Sequence, residues 1–203
     1  MKLIKLITKS VLAGVLIALA GIVYSNCSDK VIGSFLFSFG LCLVIILEAN
    51  LYTGKVGYCT TAEDFLDVGM ILIMNLVSAY LVGLISGMGP MHDSATAIVT
   101  AKLETEWWIT LLKSIGCGNC IYGSVEGYKK TKSFIPVILG VMCFILAGFN
   151  HVVADAFYIG VARFGSIEVL QYLLLVAVGN AFGSILIRLL QRGWKDELPK
   201  DLH

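Results

Sequence analysis

The chain has 203 residues, 58% of them hydrophobic and only 14% charged, with a mean hydropathy of +0.87 and a formal charge of +1. Soluble domains carry about 25% charged residues, so this composition excludes an ordinary soluble domain and points to an all-α integral membrane protein. A charge this close to zero also excludes the broad basic field that nucleic acid attracts, and no nucleic-acid partner is expected.

An apolar stretch of about 18 residues or more is long enough to cross a bilayer. Lys2, Lys5 and Lys9 precede the first such stretch in the manner of a signal peptide, but no small-residue cleavage pattern follows, so residues 8–25 are read as the first span. The second covers 31–47, is interrupted at Glu48–Lys55 (EANLYTGK) and continues briefly; the third covers 65–88. The longest connection, Gly89–Glu106, reads as a weakly amphipathic segment. Spans at 107–128, 133–160 (interrupted near Gly148–His151) and 168–191 complete six crossings. Lys2, Lys5, Lys9, Lys55, Lys129, Lys130, Lys132, Arg188, Arg192, Lys195 and Lys200 then fall on one side, and Lys30, Lys102, Lys113 and Arg163 on the other. By the positive-inside rule both termini are expected in the cytoplasm of a multi-pass plasma-membrane (inner-membrane) protein, with the long connection outside.

The stretch Phe144–Phe157 (FILAGFNHVVADAF) places His151 and Asp155 inside an apolar run. Ionisable groups at membrane depth are costly and normally face a bundle interior, a cavity or a partner. Two interrupted apolar segments at matching places in the two halves point to a site between inverted repeats. The expected architecture is therefore one transmembrane domain over 1–203, built as two inverted three-helix halves of about 1–90 and 105–203, with the second and fifth helices interrupted. Asn75 with Ser78 and Gly83, and Asn180 with Gly183, are traces of the repeat. Gly14, Gly21, Gly116, Gly118, Gly123 and Gly127 read as close-packing faces.

Asn50-Leu51-Tyr52-Thr53-Gly54 resembles the Glu-Leu-Phe-Thr-Gly loop of the formate/nitrite transporter family, and Gly148-Phe149-Asn150-His151 with Ala154 and Asp155 resembles its Gly-Phe-Glu-His followed by Ala-Asn. Lys102–Cys117 resembles the family's outer segment leading into the fourth helix, and Val178-Gly179-Asn180 its Leu-Gly-Asn. The resemblance covers nearly the whole chain and implies an aquaporin-like protomer of six helices with its own pore, assembled as a homopentamer. It implies that Leu41 and Phe144 form the cytoplasmic constriction, Leu51 and Ile121 outer apolar positions, and Thr53 with His151 the polar centre. Asn50 and Asn150 stand where the family has glutamates, Asp155 and Gly118 where it has asparagines, and Lys55 where an asparagine follows the loop glycine.

A small anion entering hydrocarbon loses its hydration, which is prohibitive unless dipoles or counter-charges replace it. Helices restarting after Thr53 and near His151 would direct unpaired backbone N–H groups inward. Thr53 offers a hydroxyl, and His151 either a proton to lend or a hydrogen bond. Lys113 reads as an attractor of anions in an outer vestibule, against the alternative that it snorkels; Asp155 reads as structural, pairing with a basic group or capping a turn. The resulting expectation is a channel or transporter for small monovalent weak-acid anions such as formate, nitrite or hydrosulfide. It would not be an enzyme, and would hold no metal or cofactor. Two other readings remain open. Cys117 and Cys120 form a CxxC, which suggests a membrane thiol oxidoreductase, and an aquaporin-like pore for neutral solutes lacks paired Asn-Pro-Ala loops.

Overall fold

The computed structural model describes residues 2–197, and among them regular structure is helical throughout. Lys200 lies outside the described residues, as does the side chain of Lys195. The long helices are α1 (Lys2–Ser25), α2 (Lys30–Ile46), α4 (Ala62–Ser86), α6 (Trp107–Thr131) and α9 (Ile167–Glu197). Shorter ones are α3 (Tyr52–Lys55), followed by a 3₁₀ turn Val56–Tyr58, α5 (Pro90–Leu103), α7 (Ile135–Leu146) and α8 (Val152–Ala162). By length and apolar composition α1, α4 and the Ile167–Arg192 part of α9 suit a membrane crossing; α2, α7 and α8 are apolar but shorter.

Local chemistry sets many of these limits. Asp29 starts α2 by accepting the N–H groups of Val31 and Ile32, both at 2.8 Å. Thr61 and Asp64 form a reciprocal capping box at the start of α4, which satisfies donors that a helix N-terminus otherwise leaves bare. Large apolar side chains such as Leu19, Phe39, Ile73, Leu112, Leu139 and Leu174 remain exposed on the long helices. An exterior of this kind suits lipid and not water.

Helix α1 packs against α2 and α4, and α6 against α7 and α9, while α2–α7 and α4–α8 contacts join the two groups. Glycines permit close approach at several crossings: a Cβ on Gly14 would run into the backbone of Asn75, and one on Gly118 into that of Asn180. Gly89–Glu106, expected as a weakly amphipathic connection, is mostly the helix α5, which lies on α8 and buries Ala95 and Val99 one turn apart. Pro90 occupies its first turn, where the missing N–H costs nothing.

Candidate functional site

Helical geometry stops at Ile46 and resumes at Tyr52, then stops at Leu146 and resumes at Val152. The two gaps are closed by the same bonds. In the first, Glu48 N–H reaches Ile45 O and Ala49 N–H reaches Val44 O; in the second, Gly148 N–H reaches Ile145 O and Phe149 N–H reaches Phe144 O. This is the Schellman pattern, which satisfies the last carbonyls of a helix through one residue of positive φ. That residue is Glu48 (φ 50°) in the first gap and Gly148 (φ 67°) in the second.

A buried asparagine then brackets each gap. Asn75 accepts Tyr52 N–H at 2.8 Å and donates to Ser10 O at 2.7 Å and Asn50 O at 3.0 Å. Asn180 accepts Val152 N–H at 3.1 Å and donates to Ser114 O at 2.8 Å and Asn150 O at 2.9 Å. The expectation that the restarting helices leave their first N–H groups unpaired therefore fails at Tyr52 and Val152. Buried backbone donors seldom stay orphaned, and here asparagine amides take them.

Between the bracketed residues the gaps carry Leu51 and His151. His151 is 2% exposed and caps α8, its Nδ1 accepting Ala154 N–H at 3.1 Å. A backbone N–H can only donate, so Nδ1 carries no proton and the neutral ring holds its proton on Nε2. Nε2 then donates to Thr53 Oγ1 at 2.9 Å, leaving the hydroxyl proton of Thr53 available to another acceptor. Thr53 is 1% exposed.

Two cavities approach this pair. The first, about 570 Å³, is lined by Phe37, Phe144 and His151 and by Lys30, Lys102, Lys113, Asn150 and Asp155. The second, about 340 Å³, is lined by Leu41, Leu51 and Asn50 and by Lys9, Glu48, Lys55 and Lys129. Ser25 lines the first and Lys9 the second, roughly 24 Å apart along the axis of α1. His151 faces the first cavity, and Leu51 and Gly54, on either side of Thr53, face the second. The Thr53–His151 bond thus lies in the partition between them.

Leu41 and Phe144 were expected at one constriction with Leu51 at the other. The structure groups them differently. Leu41 and Leu51 share the second cavity; Phe144 lies in the first, stacked on His151 (centroids 5.6 Å apart) and edge-on to Phe37 (6.2 Å). The reason is that Leu51 belongs to the gap after α2 and lines the same cavity as Leu41 of that helix, whereas Phe144 lies in the last turn of α7, whose own gap carries His151. Ile121 is buried but lines neither cavity.

Lys102 is the main residue that sequence reasoning left in a connection. From α5 it donates to Asn150 Oδ1 at 2.6 Å and pairs with Asp155 Oδ1 at 3.0 Å, while Tyr172 OH donates to Asp155 Oδ2 at 2.7 Å. Asp155 thus pairs with a cation, one of the two structural roles open to it. The one signal for Lys102 is its place beside the Ala95/Val99 stripe; Phe37, one aromatic in a uniformly apolar run, offers none. Cys117 is buried and Cys120 half-buried, one turn apart on α6.

A model of the formate/nitrite transporter family matches residues 1–192. The chain belongs to that family. It is 28% identical over 179 residues to the uncharacterized transporter YrhG of Bacillus subtilis (strain 168), across 76% of this chain and 67% of that one. It is 25% identical over 177 residues to the formate channel BtFdhC of Bacillus thuringiensis, across 76% and 68%. A solved pentameric formate channel with formate bound superposes with a TM-score of 0.80 at 20% identity, covering 96% of this chain and 97% of that one. Within a family of transporters, the CxxC of α6 has no need of a redox role.

Proposed function

We propose that the chain is a membrane channel that passes small monovalent weak-acid anions through a pore in each protomer. The observation that carries this reading is the buried Thr53–His151 pair in the partition between two lysine-bearing cavities. In the first cavity Lys30, Lys102 and Lys113 face a single carboxylate, Asp155, so an entering anion meets an excess of positive charge. Phe37 and Phe144 then strip its water. The Thr53 hydroxyl, held as an acceptor by His151, turns its own proton to the ion and returns part of the lost hydration. Leu41 and Leu51 form the second apolar constriction, with Asn50 beyond it. His151 acts as a donor and not as a proton store, because charging it would require a proton on Nδ1 and the loss of the α8 cap. Asn150 acts by holding Lys102, and Ile121 backs the partition without lining it.

The architecture that suits this reading is six spans in one domain, arranged as two inverted three-helix halves with the second and fifth helices interrupted. The matched asparagine brackets support it. The lysine distribution supports cytoplasmic termini in the plasma membrane, and the pentameric relative supports a homopentamer. Formate is the first substrate to try, since the name of the Bacillus thuringiensis relative carries it; nitrite and hydrosulfide follow.

Flux of these anions into proteoliposomes, compared with acetate and with a neutral solute at two pH values, tests the reading. Selective passage of formate, nitrite or hydrosulfide supports it. Passage of glycerol at the same rate as formate would replace it with a neutral-solute pore.

A further inference from the structure

Away from the Thr53–His151 partition, a smaller hollow of about 190 Å³ lies between α6, α9 and the 3₁₀ turn, lined by Tyr58, Tyr122, Glu126, Arg188, Gln191 and Arg192. We propose that it is a second anion site, which takes a phosphate group. Arg188 is 8% exposed and donates from Nη1 to Gly57 O at 2.8 Å and Cys59 O at 3.0 Å. Those two bonds use one nitrogen of a guanidinium that carries five N–H groups, on a side chain that also lines the hollow. Arg192 stands four residues on, facing the same space. Like charges at this spacing repel, and no described carboxylate pairs with either arginine.

The one acid in the lining is already engaged. Glu126 Oε2 accepts Tyr58 OH at 2.9 Å, and Oε1 lies 3.7 Å from Lys130 Nζ. Gln191 Oε1 accepts Tyr122 OH at 3.0 Å, so its amide N–H groups remain as donors. Two guanidiniums and an amide form a donor set matched to phosphate oxygens. The volume admits a phosphate group together with some of its water. Leu189 and Leu190 stay exposed beside it, which sets the hollow where apolar surface gives way to charge, the level of a phospholipid headgroup. The shared chemistry is a phosphate anion, free or on a lipid. Because Arg188 also holds the carbonyls of the turn that follows Thr53, occupancy stabilises that turn.

The test is thermal unfolding of the full chain in detergent, titrated with inorganic phosphate, with short-chain phosphatidic acid and with phosphatidylcholine of the same chains. Sodium chloride at matched ionic strength is the control. A saturable rise in midpoint is expected with phosphate or phosphatidic acid. It should need about tenfold more ligand in Arg192→Gln, the loss of one charge-assisted contact. Arg192 is chosen because Arg188 supports buried carbonyls. Tighter binding of phosphatidic acid identifies a lipid headgroup, and tighter binding of inorganic phosphate a soluble anion. No shift beyond the salt control, an equal response in Arg192→Gln, or equal effects of phosphatidylcholine and phosphatidic acid with none from phosphate would each overturn the proposal. None of these outcomes depends on transport.

Discussion

The two helix gaps share a scaffold and differ in what it displays. Each ends its first helix with a Schellman pattern and fixes its next helix with one asparagine that makes three bonds. Yet the residue between the bracketed groups is Leu51 in one and His151 in the other, and the positive-φ residue is Glu48 in one and Gly148 in the other. Backbone hydrogen bonding demands the scaffold, since donors and acceptors without water must find partners inside the protein. It leaves the displayed side chain free, so one gap presents an apolar side chain and the other an imidazole.

The deepest break in this correspondence should come from the asparagines. Asn75→Ala and Asn180→Ala each strand three buried partners at about 1–3 kcal/mol apiece, so both should lose about 3 kcal/mol or more in detergent unfolding. A large loss in only one would mean that the brackets are not equivalent.

The side chains on display come next. His151→Phe removes the bond to Thr53 and the α8 cap and should cut formate flux roughly 10- to 100-fold, the worth of about 1.5–3 kcal/mol for a hydrogen bond serving an ion. His151→Asn, which keeps a donor, should lose less. Equal, severe loss in both variants would instead favour a titrating histidine.

Lys102→Met should cost about 2 kcal/mol. That is less than the 3–5 kcal/mol of a broken buried pair, because Lys102 is 23% exposed in its side chain and Asp155 keeps Tyr172. Asp155→Asn should cost less than Lys102→Met, since Lys102 retains Asn150; chemical unfolding of the two variants side by side decides the order.

The smallest effects belong to the positive-φ residues. Gly148→Ala meets no atom within 4 Å, so its cost is conformational, about 1–2 kcal/mol. Glu48→Gly should gain up to about that much, less the exposed ion pair with Lys9, worth about 0–1 kcal/mol. A stabilising Gly148→Ala in the same assay would show that strain does not distinguish the two gaps.

Much of this was open to reading from the sequence because it is local. Apolar run length, the polar and glycine interruptions after Ile46 and Leu146, and the isolated His151 are properties of short stretches, and solvation acts on them before any tertiary contact forms. The family resemblance rested on the same stretches. What tertiary structure alone decided depends on chain segments far apart in sequence. Asn75 and Asn180 bracket gaps 25 and 30 residues away. Lys102 reaches Asp155 because α5 lies on α8. Leu41 shares a cavity with Leu51 and not with Phe144 because each gap stays with its own helix. Hydrophobic patterning settles which segments leave water, but which buried polar groups pair is settled only when the packed helices bring donors and acceptors within reach.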